Sequence, residues 1–377
     1  MTPRSFSVYF ENWQKGAGFL VTGILLLATV GCASHARRPP AGGWPEVSIP
    51  AATFAYTPGP DPRLRPDDSP DAELGRHDHH DVYVVEMPSA GYNNQPGNQV
   101  TATYYISRSD SRVAGQKRLI VVLPIWGSSE YPSRTVVRRL VNRRHGPGTN
   151  VLWVDGPRKM VSLDALLALQ SLPELNQELD RTIAATRNTV ADVRRLIDWA
   201  VARGDVDPQR IGIAGFSISA MVGAMVMAVD ERVQAGVFVM GGAHLNEALG
   251  SCPRRTAAAR ENVLAQLDWS VDDFKNHLGQ RLDPVEPIHF LPAVRGRNIL
   301  VLESMIDGCM NKKSRAAFWN GMGRPKRVLI PFKHQLSFFT FSRLFLRTSV
   351  GRIERFFNRH LPVPAHQMSQ PISRSTN

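Results

Sequence analysis

The sequence predicts an α/β fold, a mostly parallel sheet wound with helices on both faces. Three observations carry that expectation. Unbroken apolar runs recur at 117–123, 149–154, 210–214, 233–240, 297–303 and 326–330, the pattern of strands buried on both faces. Between them lie stretches with helical periodicity: Val190, Val193, Ile197 and Ala200 in the long segment 162–203, and the Gly/Ala-rich run after residue 217. Strands alternating with helices in this way build a doubly wound sheet.

The elements follow in order. Residues 79–90 and 98–109 read as two strands, the second alternating through Val100, Ala102, Tyr104 and Ile106. The strand at 117–123 leads into the loop 124–133, which carries Pro124, Trp126 and Gly127. A basic helix follows, with Arg134, Arg138, Arg139, Arg143 and Arg144 around an apolar side of Val136, Val137, Leu140 and Val141. The long helical segment 162–203 is broken at Pro173 and stops at Gly204. The polar helical stretch 254–278 is the natural insertion, so cap-like segments are expected at about 158–179 and 251–291. A closing helix over 337–361 presents Leu346, Val350, Ile353 and Phe357 on one face, with Phe338, Phe341 and Phe345 as a second apolar set.

The chain has 377 residues, of which 43% are hydrophobic, enough for one large core with an inserted cap. The first 32 residues read differently. A mildly basic start, the short apolar run Phe19–Val30 and the ending Thr29-Val30-Gly31-Cys32 resemble the signal peptide and lipobox of a bacterial lipoprotein. The departure is Thr29, where an aliphatic residue is usual. The resemblance implies that Cys32 is lipidated, that the membrane is reached through that lipid, and, because Ala33 is not aspartate, that the protein faces the periplasm from the outer membrane. Residues 33–76 are rich in proline and read as an extended tether, or as an arm held on the domain by Trp44, Phe54 and Tyr56. Residues 362–377 read as a disordered tail. The net charge of +12 favours anionic partners such as lipid headgroups or acidic substrates. An export signal argues against nucleic acid. A solvated basic face is the plainer reading.

The chemistry centres on Gly215-Phe216-Ser217-Ile218-Ser219. This pentapeptide, between an apolar strand and a helix, resembles the nucleophile elbow G-x-S-x-G of the α/β-hydrolase family, with Ser219 in place of the second glycine. The resemblance implies an α/β-hydrolase fold over 77–361 and a triad in the chain order serine, acid, histidine. Asp307 follows the strand at 297–303 and His334 follows the next one, so both fall where the family has its acid and base. A serine hydroxyl needs such a base to lose its proton, and the base needs an acid to hold its tautomer. Asp155, Glu303, His244 and His289 are competing candidates, none of them at the family's positions. Backbone N–H groups of Ile218 and Trp126 are implied as oxyanion donors, with Ile125 nearly as good as Trp126.

An acyl-serine route needs no cofactor. It implies an esterase of carboxylesterase or lipase type acting on a small-molecule or lipid ester. A peptidase or amidase on the same triad and a non-catalytic pseudo-hydrolase lipoprotein are the rivals. The run His77-Asp78-His79-His80-Asp81 lacks the helical spacing that would put two histidines on one face, so no metal site is expected. Cys252 and Cys309 either pair or remain two thiols. The family's strand order makes them exits of neighbouring strands, where a disulfide would fix the Asp307 loop.

Overall fold

The computed structural model describes residues 33–40, 43–45, 47, 49–57, 59, 61–68, 80–91, 99–108, 117–125, 131–142, 148–155, 161–342 and 348–363. Along the chain the strands are β1 (Ala33–Ser34), β2 (Arg63–Pro66), β3 (His80–Pro88), β4 (Gln99–Ser107), β5 (Lys117–Val122), β6 (Thr149–Asp155), β7 (Val206–Phe216), β8 (Val233–Val239), β9 (Asn298–Ile306) and β10 (Lys326–Lys333). The helices are α1 (Ser133–Leu140), α2 (Leu163–Ala168), α3 (Leu172–Ala202), α4 (Ile218–Val229), α5 (Leu245–Ser251), α6 (Arg255–Leu267), α7 (Val271–Leu282), α8 (Lys312–Gly321), α9 (His334–Ser337) and α10 (Thr348–His360). The strands form one sheet in the order β1-β10-β9-β8-β7-β5-β6-β4-β3-β2. The centre, from β10 to β6, is parallel, and the pairs at both ends are antiparallel. This is a doubly wound sheet of the α/β-hydrolase type.

Each central strand sorts its side chains by parity. Leu119, Val121 and Ile213 join α3 and α4 in one core layer, while Ile120, Val122, Ala214 and Phe216 join α1 and α10 in the other. Gly212 faces α10 so closely that a Cβ there would meet Phe357 at 2.7 Å. The closing segment expected as one helix is two pieces, because a 3-10 turn at Phe338–Phe341 follows α9. Val350, Ile353, Phe357, Phe338 and Phe341 all pack in the second layer. Phe345 and Leu346 lie outside the described residues.

The chain doubles back between β5, β6 and β7, so β5 lies between the other two. In an open α/β sheet such a switch point opens a crevice at the carboxyl ends of the strands. Helix α3 spans 31 residues, about 46 Å at 1.5 Å per residue. Pro173 sits in its first turn, where no N–H is needed. Val190, Val193 and Ile197 of α3 belong to the sheet core, and Leu175 and Leu179 belong to a third cluster with α2, α5, α6 and α7. That cluster gathers the helices of the segments expected as cap-like. It begins earlier than the expected 251, at Leu245, and its helices end at Leu282. Phe290, Leu291 and Val294 have already rejoined the main core.

The described residues between 33 and 68 lie along the domain, as the second reading of this segment, an arm held by Trp44, Phe54 and Tyr56, expects, and not as a free tether. β1 pairs with the edge strand β10 and β2 pairs with β3 at the opposite edge. Phe54 is buried with its ring 5.0 Å from that of Phe290. The Tyr56 hydroxyl donates to Asp198 at 2.6 Å, and the Arg295 guanidinium lies over the Trp44 ring at 5.8 Å. Three aromatic anchors with buried or bonded partners outweigh the extended bias of the prolines. Residues 1–32 and 364–377 lie outside the described residues. Among the described residues no helix is long and apolar enough to cross a membrane.

One buried cation ties the sheet to α10. Arg118, 1% exposed at the start of β5, donates to Thr149 Oγ1 at 2.9 Å, to the Leu361 carbonyl at 3.0 Å and to Asn358 Oδ1 at 2.7 Å. Burial lowers its pKa to about 10, with the Glu354 charge opposing the shift. The guanidinium satisfies a carbonyl just past the C-terminus of α10, where positive charge is favoured. Arg118→Met strands that carbonyl. It is expected to cost about 2–3 kcal/mol in a urea titration, with Arg118→Lys recovering part of it.

Candidate active site

Ser217 stands between β7 and α4 with φ 57° and ψ −121°. A non-glycine residue avoids this region, and holding it there costs about 1–3 kcal/mol. The sequence enforces it by leaving no space for a looser turn. A Cβ on Gly215 would lie 2.2 Å from the Ser219 carbonyl oxygen. The Ser217 N–H donates to the Val239 carbonyl at 2.7 Å, which pins the junction to β8.

The three residues expected to act together meet. Ser217 Oγ lies 3.3 Å from His334 Nε2, and His334 Nδ1 lies 2.5 Å from Asp307 Oδ2. With Nδ1–H donating to the carboxylate, Nε2 is left as the acceptor facing the serine. The second oxygen of Asp307 accepts the backbone N–H groups of Cys309 at 2.9 Å and Met310 at 2.8 Å. The Asp307 side chain is fully buried and that of His334 is 12% exposed. The His334 ring meets Phe338 edge to face at 5.7 Å.

Several partners unread in the sequence hold this arrangement. Arg315 donates to Glu303 at 3.0 Å and to the carbonyls of Met305 at 3.2 Å and Met310 at 2.7 Å, so it clasps both ends of the Asp307 loop. That occupies Glu303, which also pairs with Arg327 at 3.3 Å. Cys309 is joined to Cys252 in a disulfide, and the Ser251 hydroxyl donates to the Cys309 carbonyl at 3.2 Å. Glu247 on α5 accepts from Lys313 at 2.7 Å and Lys275 at 3.1 Å. Lys313, Lys275 and Asn311 hold its carboxyl well down, at about 2.

Ser219 has a task of its own. Its Oγ accepts the Phe216 N–H at 2.9 Å and donates to the Pro124 carbonyl. The elbow is thereby bonded to the loop after β5. A glycine at this position would leave both groups without that partner.

The other candidates are placed elsewhere. His244 caps α5 with its backbone N–H bonded to Glu286, and the exposed His289 bonds Asp283 at 2.8 Å. Asp155 ends β6, opposite Thr101. His80 is buried, with Nε2 3.1 Å from the Thr149 carbonyl, and Asp81 accepts from Arg108 at 2.7 Å. Among the described residues no group of three metal-capable side chains gathers. Ile218 opens α4, whose first N–H groups have no acceptor within the helix. Ile125 packs on the second core layer, and Trp126 lies outside the described residues.

No protein-family profile and no curated protein sequence matches the chain. Among solved structures it is similar to acetyl xylan esterase 1 from a Thermoanaerobacterium species, with 13% identity over 79% of this chain and 88% of that one and a TM-score of 0.57. It is likewise similar to an acetyl xylan esterase from a Paenibacillus species, with 14% identity over 81% and 90% and a TM-score of 0.57. At such identities the likeness is one of fold, and the fold is that of an α/β hydrolase.

Proposed function

We propose that the protein is a serine hydrolase that cleaves an ester through an acyl-serine intermediate. The observation that carries this reading is the continuous relay from Ser217 through His334 to Asp307, with the serine on a strained elbow at the switch-point crevice. His334 Nε2 takes the hydroxyl proton as Ser217 Oγ attacks the acyl carbon, then returns it to the leaving alkoxide. Water, activated by the same nitrogen, releases the acid. Asp307 stays ionised, fixes the tautomer and stabilises the imidazolium. The N–H of Ile218 and that of Ile125 or Trp126 are the proposed donors to the oxyanion. The disulfide from Cys252 to Cys309 is proposed to hold the acid loop in line with His334. The esterase names of the two similar structures support an ester over an amide.

Ser217→Ala and His334→Ala should each lower turnover on a p-nitrophenyl ester by on the order of 10⁶, with the fold retained by circular dichroism. Asp307→Asn should cost about 10⁴ in turnover. Wild-type turnover in Ser217→Ala would remove the serine assignment.

Ser219→Ala should lose about 2–3 kcal/mol of stability by stranding the Phe216 N–H and the Pro124 carbonyl. Its kcat should fall more than its KM rises, because the elbow loses its tie to the loop that carries the proposed donors. Unchanged kcat and KM in the folded variant would mean the tie serves folding alone.

Cys32 is proposed as a lipid-bearing residue that anchors the protein in the cell envelope, on the pattern Thr29-Val30-Gly31-Cys32 behind an apolar run. Metabolic labelling with palmitate should mark the wild type and not Cys32→Ser. Equal labelling of the two would sink the anchor.

A further inference from the structure

Among the described residues the three most exposed large apolar side chains are Ile306 at 58%, Met305 at 51% and Leu336 at 46%. They are not scattered. Met305 and Ile306 end β9 and run directly into Asp307, and Leu336 is the second residue after His334. Ile306 stands opposite Lys333 in the ladder between β9 and β10, so the three gather at one carboxyl edge of the sheet. Scattered exposed apolar residues need no explanation, but the three most exposed beside one site mark a contact surface.

Two further observations say what covers it. The first is charge. Between 305 and 342 the only acid is Asp307, whose side chain is buried on His334, while Lys333, opposite Ile306 in the ladder, is exposed. Apolar side chains beside an exposed cation suit an anionic lipid surface. The second is chain direction. β1 runs antiparallel to β10, with Ala33 opposite Val328 and Ser34 opposite Arg327, so toward lower numbers it points at Lys333. From Val328 to Lys333 is five residues, about 17 Å at ~3.3 Å each. The apolar run Phe19–Val30 is therefore joined to the domain close to this edge.

We propose that the edge formed by Met305, Ile306, Leu336 and Lys333 docks on an anionic lipid bilayer, and that the site takes acyl esters held in that bilayer. The substrate half rests on the ester-hydrolase reading above. The docking half does not.

The test uses the full chain carrying Cys32→Ala throughout, so that no acyl group on that residue contributes. Hydrolysis of one ester is followed free in solution, in phosphatidylcholine vesicles, and in vesicles of phosphatidylcholine with phosphatidylglycerol. Cosedimentation with the same vesicles reads docking without catalysis. The phosphatidylglycerol vesicles should raise both the vesicle-to-solution rate ratio and cosedimentation by on the order of tenfold over phosphatidylcholine alone. Met305→Ser/Ile306→Ser/Leu336→Ser should abolish that gain and Leu336→Ser alone should reduce it. Leu64→Ser, an exposed apolar residue on β2 at the far edge of the sheet, should keep it. The same ratio and cosedimentation in the triple variant as in the parent would overturn the docking face and leave the ester reading standing. Absence of hydrolysis in every presentation would overturn the ester reading and the substrate half with it, and cosedimentation would still decide the docking half.

Discussion

The contact between Gly215 and the backbone of Ser219 is the constraint on which the site depends. With a would-be Cβ only 2.2 Å from a carbonyl oxygen, the chain must pass from β7 to α4 without a spacer. Ser217 takes the strain at φ 57°, and its hydroxyl is turned out of the sheet toward His334. Helix α4 then starts at the residue after the serine, with the Ala220 N–H bonded back to the Ser217 carbonyl at 3.0 Å. The elbow's cost of about 1–3 kcal/mol is sustained because the neighbours over-determine it. Leu123 N–H bonds Ala214, Ser217 N–H bonds Val239, and the Ser219 hydroxyl bridges Phe216 and Pro124.

The acid end is built on the opposite plan, as a loop held from several sides. Asp307 needs both lone-pair sets committed, one to His334 and the other to the N–H groups of Cys309 and Met310. Arg315 fixes the carbonyls at both ends of that loop, and Glu303, shared with Arg327, keeps Arg315 in place. A buried ion pair of this kind gains little stability by itself, but losing either partner leaves the other charge uncompensated. The bridge to Cys252 and the Glu247 pairs with Lys275 and Lys313 carry the same loop region onto α5 and α7. The helical cluster around α5 and α7 is thus coupled to the proposed acid.

What the sequence made legible follows from how local each signal is. The central strands announced themselves as apolar runs, and Ser217, Asp307 and His334, at the ends of β7, β9 and β10, were singled out by matching those strand ends to the order that the family resemblance implies. Arg315 could not be found that way, since an arginine on a helix looks like any solvated cation until its three acceptors are in view. Ser219 shows in the sequence only as a departure from the glycine of the pattern, whereas its hydroxyl makes bonds that a glycine lacks. The arm is where the sequence leaves two readings open. Proline density signals an extended chain, but whether that chain is free or docked depends on distant partners such as Phe290 and Asp198. β2 shows no burial pattern at all, with four exposed residues, so periodicity had nothing to detect.

That arm changes what an anchor at Cys32 would mean. A spacer of some forty residues would let the domain tumble away from a surface, with its active edge in no fixed orientation. Here the chain meets the sheet at Ala33, and the same segment crosses to the far edge by Arg63, closing both exposed edges of a sheet that would otherwise offer unpaired ladders. Edge protection and orientation therefore come from one piece of backbone. Because β1 lies antiparallel on β10, the strand that delivers His334, β1 read toward lower numbers points at the carboxyl end of β10. The pairing that closes this edge of the sheet also aims the arm at the end where the proposed triad meets.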